Sequence, residues 1–414
     1  MTRGRCSSAR AGESIRRQLR WLLLLSTLGG IACQETAKTP AATPARNEDV
    51  HTRSILVDTH NDVLQRMVNE DVDIRGRLAD GHSDLDRFAE GGVDAQFFSV
   101  WPDPIYGSDH SARRVLQQID ALYRLLDAAP DRIALATTTA DVRRIFAEGK
   151  LAALMGIEGG HAIEDDLGVL RMFHRLGVRY MTLTHFNTNN WADSSTDVPR
   201  HHGLSPFGED VVREMNRIGM IVDISHVSDE TFWDVMRVTT KPVIASHSSC
   251  RALCDHPRNM SDEMIEAVAD NGGVIGINFY PEFLDQAYKD AREAARGGSV
   301  VTAFSVPEER DPAKLDALAR ERHLAFARSD SDIPPPGIEA VADHIEHVVK
   351  LVGADHVGLG SDFDGIDVAP RGLEDVTKYP DLTEILIERG YRDEDIEKIL
   401  GENFLRVLRD VTGS

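Results

Sequence analysis

The sequence predicts an α/β fold in which eight parallel strands close into a (β/α)8 barrel of the TIM type. From residue 53 onward, short apolar runs alternate with amphipathic segments of helical period. This alternation is typical of a parallel sheet, and eight repeats favour a closed barrel over an open, doubly wound sheet, which remains the alternative. No G-x-G-x-x-G motif follows the first run, so a dinucleotide-binding fold has no support. The eight predicted strands are SILVDTH, VDAQFFSV, LAALMGIEGG, YMTLTHF, GMIVDISH, PVIASHS, GGVIGINFY and HVGLGSDFDG.

The composition is that of a soluble globular protein with an acidic balance of charge. The chain has 414 residues, of which 42% are hydrophobic and 28% are charged, and its formal net charge is -22. The acidic balance argues against a nucleic-acid partner, because that binding depends on cationic contacts to phosphates. It argues equally against a basic helix lying on a membrane surface.

Residues 1–32 have the pattern of an export signal. A basic stretch, MTRGRCSSARAGESIRRQLR, precedes the apolar run WLLLLSTLGGIAC. That order, with small residues closing the apolar run, is typical of a secretory signal peptide. The run is too short to span a bilayer comfortably. We therefore expect the protein to be exported.

Cys33 follows the sequence GGIA, which resembles a bacterial lipobox, although Gly30 stands where that motif usually has leucine. Two interpretations remain, namely lipidation at Cys33 and an ordinary signal peptide that is cleaved nearby. Residues 33–52 are rich in Ala, Thr and Pro and predict a flexible tether, which favours a lipid anchor at Cys33. The expected location is the periplasm or outer membrane for a lipoprotein, and outside the cell otherwise.

Residues 53–414 form the predicted barrel, and a charged, helix-prone segment at residues 281–336 interrupts it. This segment lies between the seventh predicted strand and the helix before the eighth, so we interpret it as an insertion in the seventh βα loop. Such loops lie over the active face of a barrel. The insertion is therefore either a lid or a solvated helical excursion without a role.

The four cysteines leave the redox chemistry open. Cys6 lies in the signal, and Cys33 is the candidate for lipidation. Cys250 and Cys254 are close enough in sequence to form a disulfide in an oxidising compartment, but two free thiols fit equally well.

Ionisable side chains end six of the eight predicted strands. In the first of them, ILVDTHND, His60 and Asp62 are two residues apart and therefore point to the same side of a strand. One such pair is more often part of a turn or a helix cap than of a metal site. In a barrel, however, the carboxyl ends of all strands meet at one mouth, where catalytic residues collect. The residues at these ends are His60, Asp62, Glu158, His185, His226, His247 and Asp362.

The chemistry of these residues fits a site for two metal ions. Imidazole nitrogens and carboxylate oxygens are the ligands of catalytic zinc, which keeps one position open for water. Glu158 is the candidate for a bridge between two ions, because Gly156, Gly159 and Gly160 leave little side-chain crowding around it. A hydroxide shared by two zinc ions is nucleophilic at neutral pH. The sequence therefore predicts a barrel of the metal-dependent hydrolase type.

Several motifs in the same order resemble the membrane dipeptidase (renal dipeptidase) family, peptidase family M19. They are DTHND, GIEGGHAI, MTLTHFNTNNWADS, GLSPFG, VDISHVS, PVIASHSS, RNMSDE and GLGSDFDG, and the resemblance runs from about residue 54 to about residue 410. It implies a (β/α)8 barrel with a binuclear zinc site that cleaves dipeptides, commonly including those with a D-residue at the C-terminal position. It also suggests a homodimer.

The resemblance implies a role for each residue at the mouth of the barrel. Asp362 would take a proton from the attacking water and pass it to the leaving amine. His185 would bind the substrate carbonyl and stabilise the developing oxyanion. Arg258, in the sequence HPRNMSD, would pair with the free carboxylate of the substrate. The implied metal ligands are His60 and Asp62 for one zinc, His226 and His247 for the second zinc, and Glu158 for both.

Two other functions remain open at this point. The first is a related barrel hydrolase that acts on an N-acyl amino acid, a lactone or a cyclic amide. The second is a lipoprotein that binds a metal or a ligand without catalysis, although an intact Asp362 speaks against it. The insertion at residues 281–336 is longer than in the mammalian relatives, which leaves the substrate range undecided.

Overall fold

Parallel strands from the whole described chain form one closed sheet. The structure, a computed structural model, describes residues 49–298, 305–327 and 333–413, which belong to one compact unit. Within these residues the strands are β1 Val57–Asn61, β2 Ala95–Val100, β3 Ile133–Leu135, β4 Leu151–Glu158, β5 Val178–Thr182, β6 Ile221–Asp223, β7 Ile244–Ser248, β8 Val274–Ile277 and β9 Val357–Leu359.

The sheet closes into a barrel because β2 pairs with β4 as well as with β1. β3 lies beside the first half of β4, where Ile133 pairs with Leu151, and β5 lies beside the second half, where Glu158 pairs with Thr182. Eight strands therefore complete the circuit, and β3 is a ninth strand outside it. The predicted (β/α)8 barrel is confirmed, but the sequence missed β3, because three residues carry too little periodicity to identify a strand.

Helices connect the strands, and several begin at a side chain that caps the first turn. Ser205, Ser228 and Ser261 each accept a hydrogen bond from a backbone N–H of the helix that follows. The helices among the described residues are α1 Val50–Arg53, α2 Val63–Asn69, α3 Leu85–Glu90, α4 Gly107–Ala128, α5 Thr139–Ala147, α6 Leu167–Arg175, α7 Pro206–Ile218, α8 Asp229–Val238, α9 Asp262–Asp270, α10 Pro281–Leu284, α11 Gln286–Arg296, α12 Pro312–Ala327, α13 Glu339–Val352, α14 Tyr379–Glu388, α15 Asp393–Glu397 and α16 Asn403–Thr412.

The apolar core inside the barrel lies toward the amino ends of the strands. Phe97 of β2 and Ile221 of β6 belong to one buried cluster, and α16 adds Phe404 and Leu408 to it. The ring of Phe97 lies 4.9 Å from that of Phe404. Because apolar packing occupies this end, the polar side chains of the barrel interior collect at the opposite, carboxyl end.

Helix α12 of the predicted insertion packs against the loop that follows β2. Its Leu315 and Ala319 form a small buried cluster with Ile105 and Tyr106. Near its end, Nε of Arg322 lies 2.9 Å from Oδ2 of Asp103. The described part of residues 281–336 thus contains three helices, and α12 packs on the barrel. A role as a lid stays a prediction.

The described part of the chain begins within the predicted tether. Residues 1–32 and most of residues 33–52 lie outside the described residues, so the signal, the lipidation of Cys33 and the tether stay predictions. The helix α1 already includes Val50 and His51, which are buried, so the folded unit begins a few residues earlier than residue 53. Among the described helices, none has the length and the apolar character that crossing a membrane requires.

The two cysteines after β7 are free thiols and are both buried. Cys250 Sγ lies 3.5 Å from the carbonyl oxygen of His344, and Cys254 Sγ lies 3.2 Å from that of Glu282. Of the two interpretations of this pair, the structure has the reduced one.

Candidate metal centre

The structure brings all seven ionisable residues of the predicted strand ends to the carboxyl-end mouth of the barrel. His60 and His247 lie within β1 and β7, and Glu158 is the last residue of β4. The other four lie in the loops just after their strands. Three overlapping groups have ligand atoms close enough to hold a metal ion: His60, Asp62 and Glu158; Glu158, His226 and His247; and His60, His247 and Asp362.

Glu158 joins two of these groups through its two different oxygens. Oε2 lies 3.5 Å from Nε2 of His60. Oε1 lies 2.9 Å from Nε2 of His226 and 3.2 Å from Nε2 of His247. The carboxyl is buried, and this burial raises its pKa above the usual range in the metal-free protein. A carboxylate placed between two sets of imidazole nitrogens has the geometry of a bridging ligand.

His60 turns its Nε2 toward the site because its Nδ1 has a partner on the other side of the ring. Its Nδ1 lies 2.9 Å from the hydroxyl of Tyr180, and that hydroxyl donates its own proton to the carbonyl oxygen of Thr59 at 3.0 Å. Nδ1 of His60 therefore carries a proton and donates it to Tyr180. Nε2 is thus the nitrogen that faces the site. It is buried without a hydrogen-bond partner and lies 3.3 Å from Oδ2 of Asp62.

His247 reaches the same state through a serine and an aspartate. The Ser246 hydroxyl lies 2.8 Å from Nδ1 of His247 and donates its proton to Oδ2 of Asp223 at 2.6 Å. Nδ1 of His247 is therefore the donor, and its Nε2 faces the site with a lone pair. Second partners of this kind orient histidines that bind metals.

The donor set fits zinc. Nε2 of His226 lies 2.8 Å from Nε2 of His247, and both face the same oxygen of Glu158. One proton on Nε2 of His226 forms a hydrogen bond with either Nε2 of His247 or Oε1 of Glu158, but not with both. A divalent cation bound by neutral imidazoles and a carboxylate interacts with all three atoms at once. Burial holds the pKa values of His226 and His247 well below the ordinary value, so both rings are neutral, the form that binds a metal.

Gly365 keeps space free beside the carboxylates. A Cβ at this position would collide with Oδ2 of Asp62 and would lie 2.6 Å from Oδ1 of Asp362. Any other residue would therefore push into the ligand group, which is a second indication that this space belongs to the site.

Asp362 is held in an unusual backbone conformation at the edge of the cluster. Its φ is 63°, in the left-handed region, and His226 has a φ of 69°. Both are non-glycine residues, and such strain is found most often at functional sites. Oδ2 of Asp362 accepts a hydrogen bond from Nδ2 of Asn278 at 2.9 Å, and Oδ1 lies 3.9 Å from Nε2 of His60. Burial raises the pKa of this carboxyl, which suits a group that holds a proton.

His185 faces the cluster without joining any of the three ligand groups. Its Nε2 lies 3.6 Å from Oε1 of Glu158. Its Nδ1 accepts a hydrogen bond from the indole N–H of Trp101 at 3.0 Å. The ring centroid of Phe186 lies 4.3 Å from that of His185.

Arg258 lies behind the site and does not line the cavity. The side chain is buried, and its guanidinium donates to the carbonyl oxygen of His247 at 2.9 Å and to Oγ of Ser248 at 3.3 Å. No carboxylate of the described residues forms an ion pair with it, and its Nε has no hydrogen-bond partner there. The Phe283 ring lies 5.3 Å from the guanidinium carbon. A buried cation without an ion pair is suited to an anionic ligand, although Arg258 is not among the residues that line the cavity.

A cavity of about 290 Å³ borders the cluster. Its polar wall contains five of the seven predicted strand-end residues, namely Asp62, Glu158, His185, His226 and Asp362. Helix α12 covers it with Arg322, His323 and Phe326, so the insertion contributes directly to the cavity. The aromatic wall consists of Trp101, Phe186, Tyr280, Phe283 and Phe326.

Sequence reasoning missed the residues that orient the histidines. Trp101 directly follows a strand, and the rule that strand ends carry function would have found it. Tyr180 and Ser246 lie within strands and give no such signal. The predicted role of the glycines around Glu158 was also wrong in part. A Cβ at Gly156 would overlap the ring of Tyr180, so the space beside this glycine is filled by that ring and is not open.

The fold and the cluster define a barrel metallohydrolase, and the comparison with known families narrows this class. The family model described as membrane dipeptidase (peptidase family M19) matches residues 44–413. The chain belongs to this family of metallopeptidases. It is 41% identical over 337 residues to the dipeptidase tcpJ of Claviceps purpurea, which covers 79% of this chain and 69% of that protein. It is 39% identical over 380 residues to the dipeptidase aclJ of Aspergillus oryzae, covering 88% of this chain and 80% of that protein.

Solved structures agree with this assignment. The probable dipeptidase PvdM from Pseudomonas aeruginosa has a TM-score of 0.72 and 28% identity, covering 88% of this chain and 97% of that one. A metallopeptidase from Rhodobacter sphaeroides, liganded with a phosphinate mimic of the dipeptide L-Ala-D-Ala, has a TM-score of 0.69 and 27% identity, covering 86% of this chain and 99% of that one. Both cover nearly all of the described barrel.

Proposed function

We propose that the protein is a binuclear zinc dipeptidase that hydrolyses the peptide bond of free dipeptides. The observation that carries the proposal is Glu158, whose two oxygens face separate groups of ligand atoms. His60 and Asp62 would hold one ion, His226 and His247 would hold the second, and Glu158 would bridge them. When bound, two zinc ions supply Lewis acidity and lower the pKa of water, which makes a nucleophile available at neutral pH.

The other residues of the chain bind the substrate and move its protons. His185 donates from Nε2 to the carbonyl oxygen of the scissile bond, where negative charge develops in the transition state. Asp362 accepts the proton of the attacking water and delivers it to the leaving amine. Arg258 supplies a buried positive charge toward the free carboxylate of the substrate.

A dipeptide with a D-residue at its C-terminal position belongs to the proposed substrates. The structural relative from Rhodobacter sphaeroides is liganded with a mimic of L-Ala-D-Ala, and the match covers 86% of this chain and 99% of that one. The cavity, about 290 Å³ in volume and covered by α12, is at the lower limit of small-molecule pockets, which favours two small residues over a longer peptide.

A panel of substrates tests this proposal. Zinc-loaded protein should cleave L-Ala-L-Ala and L-Ala-D-Ala, and it should fail on dipeptides with a blocked amino or carboxyl end. The matched control is Asp362→Asn, which keeps the hydrogen bond to Asn278 but cannot hold the proton. Full activity of this control would remove the proton role from Asp362, and absence of any turnover by the wild type would refute the dipeptidase.

A second candidate reaction has one observation in its favour. Because Arg258 does not line the cavity, the site would also admit a substrate without a free carboxylate, such as a lactone or a cyclic amide. An Arg258→Ala variant separates the two. It should lose dipeptide turnover mainly through a higher KM, whereas unchanged kinetics on the true substrate would favour a lactone or cyclic amide.

We also propose that the protein is exported and anchored by a lipid at Cys33. The support comes from the basic and apolar order of residues 1–32 and from the Ala/Thr/Pro-rich tether that follows. Labelling of cells with radioactive palmitate should mark the wild type and leave the Cys33→Ala variant unmarked. Equal labelling of both would contradict the anchor.

A further inference from the structure

His185 differs from His60 and His247, because the hydrogen bond at its Nδ1 runs in the opposite direction. At His60 and His247 a hydroxyl accepts from Nδ1, so Nε2 is the nitrogen left to bind a metal. At His185 the partner is an indole N–H, which is a donor only. Nδ1 of His185 therefore carries the lone pair, and its proton is on Nε2.

This direction decides what His185 is able to do in the site. Its Nε2 lies 3.6 Å from Oε1 of Glu158, close enough to the cluster for a metal ligand with a free lone pair. A lone pair on Nε2 would require the proton of the neutral ring to be on Nδ1. That proton would then point at the indole proton of Trp101, although the two nitrogens are only 3.0 Å apart. The contact excludes that arrangement.

Trp101 is itself held firmly enough to impose this direction. Gln118 accepts the backbone N–H of Trp101 at 2.9 Å and donates to its carbonyl oxygen at 2.6 Å. Gln65 donates to the same carbonyl oxygen at 2.6 Å. Two buried glutamines from α2 and α4 thus fix the backbone that carries the indole, and the Trp101 and His185 rings lie 5.0 Å apart.

We propose that Trp101 is a positioning residue that fixes His185 in its Nε2–H tautomer, and so makes it a hydrogen-bond donor to the substrate rather than a fourth imidazole ligand. The identity of the group that receives this hydrogen bond, the substrate carbonyl, rests on the proposed function. The tautomer itself does not.

Nitrogen NMR on protein labelled with 15N-histidine tests the tautomer directly in the zinc-loaded protein. The wild type should show His185 with an unprotonated Nδ1 and a protonated Nε2, assigned by the loss of its signals in His185→Gln. Trp101→Phe keeps an aromatic ring but removes the donor, and it should shift His185 toward a mixture of tautomers. Observation of a protonated Nδ1 in the wild type would overturn the proposal, even if the variant failed to fold.

Kinetics on L-Ala-D-Ala provide the second test. Trp101→Phe should lower kcat and kcat/KM together, by about 10- to 100-fold, with KM unchanged, because the donor acts in the transition state. In the His185→Gln background, the donor is an amide N–H, which has no tautomers for Trp101 to select. Trp101→Phe should therefore not lower kcat or kcat/KM any further in that background. An equal loss in both backgrounds would show a merely structural role and overturn the proposal.

The matched control is Trp233→Phe. Trp233 is 47% exposed on α8 and should leave both the His185 signals and kcat unchanged. If the wild type shows the expected tautomer but cleaves no dipeptide, the proposed function fails while the role of Trp101 stands.

Discussion

The hydroxyl of Tyr180 lies 2.9 Å from Nδ1 of His60, and because it gives its own proton to Thr59, it accepts the proton of the histidine. One phenol on β5 thus determines which nitrogen of a residue on β1 faces the metal centre. The ring reaches across only because β4 has Gly156 beside it. Strand pairing, a glycine and a hydroxyl therefore act together to prepare a single ligand atom.

Tyr180→Phe should weaken zinc binding. The ring still fills its space, but Nδ1 of His60 loses its acceptor, and partners of this kind are typically worth about 10- to 100-fold in metal affinity. Competition with a zinc chelator measures the change. Tyr123→Phe, which removes an exposed hydroxyl bonded to the carbonyl oxygen of Leu176, is the control. Equal affinities in wild type and Tyr180→Phe would show that Tyr180 does not orient the ligand.

Gly365→Ala should abolish metal binding while leaving the barrel folded. The added Cβ collides with Asp62 and crowds Asp362, so the carboxylates must move. The control is Gly358→Ala, because a Cβ there meets nothing closer than 3.6 Å. Metal content and far-ultraviolet circular dichroism distinguish the two variants. Normal metal content in Gly365→Ala would contradict the assignment of this space to the site.

Zinc should stabilise the folded protein. The folded chain gathers buried histidines and carboxylates that the unfolded chain separates, so a metal binds the native state preferentially. At a free concentration of 100 times Kd, this linkage amounts to about 2.7 kcal/mol. Thermal unfolding with zinc, with chelator and with magnesium measures it. An unchanged midpoint between zinc and chelator would argue against a metal at this cluster.

Asp94→Asn should reduce the dependence of stability on pH. Burial raises the pKa of Asp94 to about 7, while its carboxyl accepts the N–H of Leu56 at 2.9 Å. The folded state therefore favours the protonated form of Asp94. The contribution of this carboxyl to stability is complete below the unfolded pKa of about 3.9 and is lost as pH rises through about 7. Urea unfolding at pH 5 and pH 8 should show a loss on the order of 2 kcal/mol that is smaller in the variant. The same loss in both proteins would assign it to other groups.

The residues that gather at the mouth of the barrel were predictable from sequence, but the groups that orient their side chains were not. His60, Asp62, Glu158, His226 and His247 all lie at or just after carboxyl ends of strands, and a closed barrel must bring those ends together. The partners of the ring nitrogens, such as Tyr180, come from strands distant in sequence. Which hydroxyl reaches which imidazole depends on barrel register and has no local pattern.

The insertion and the arginine show two further limits. The charge and helical pattern of residues 281–336 predicted helices. That one of these helices, α12, covers the cavity follows only from its packing on Ile105 and Tyr106. The place of Arg258 in its motif predicted a role in substrate binding, but its absence from the lining of the cavity depends on packing that no motif encodes.

The most direct measurement is the zinc content per chain of wild type and Glu158→Gln, by elemental mass spectrometry, with turnover of L-Ala-D-Ala on the same samples. We expect two zinc ions in the active wild type, loss of activity on chelation, and at most one ion in the inactive variant, because an amide has only one oxygen to offer. A fully active wild type with a single zinc ion, or a Glu158→Gln variant that keeps two ions and its activity, would contradict the bridging role of Glu158.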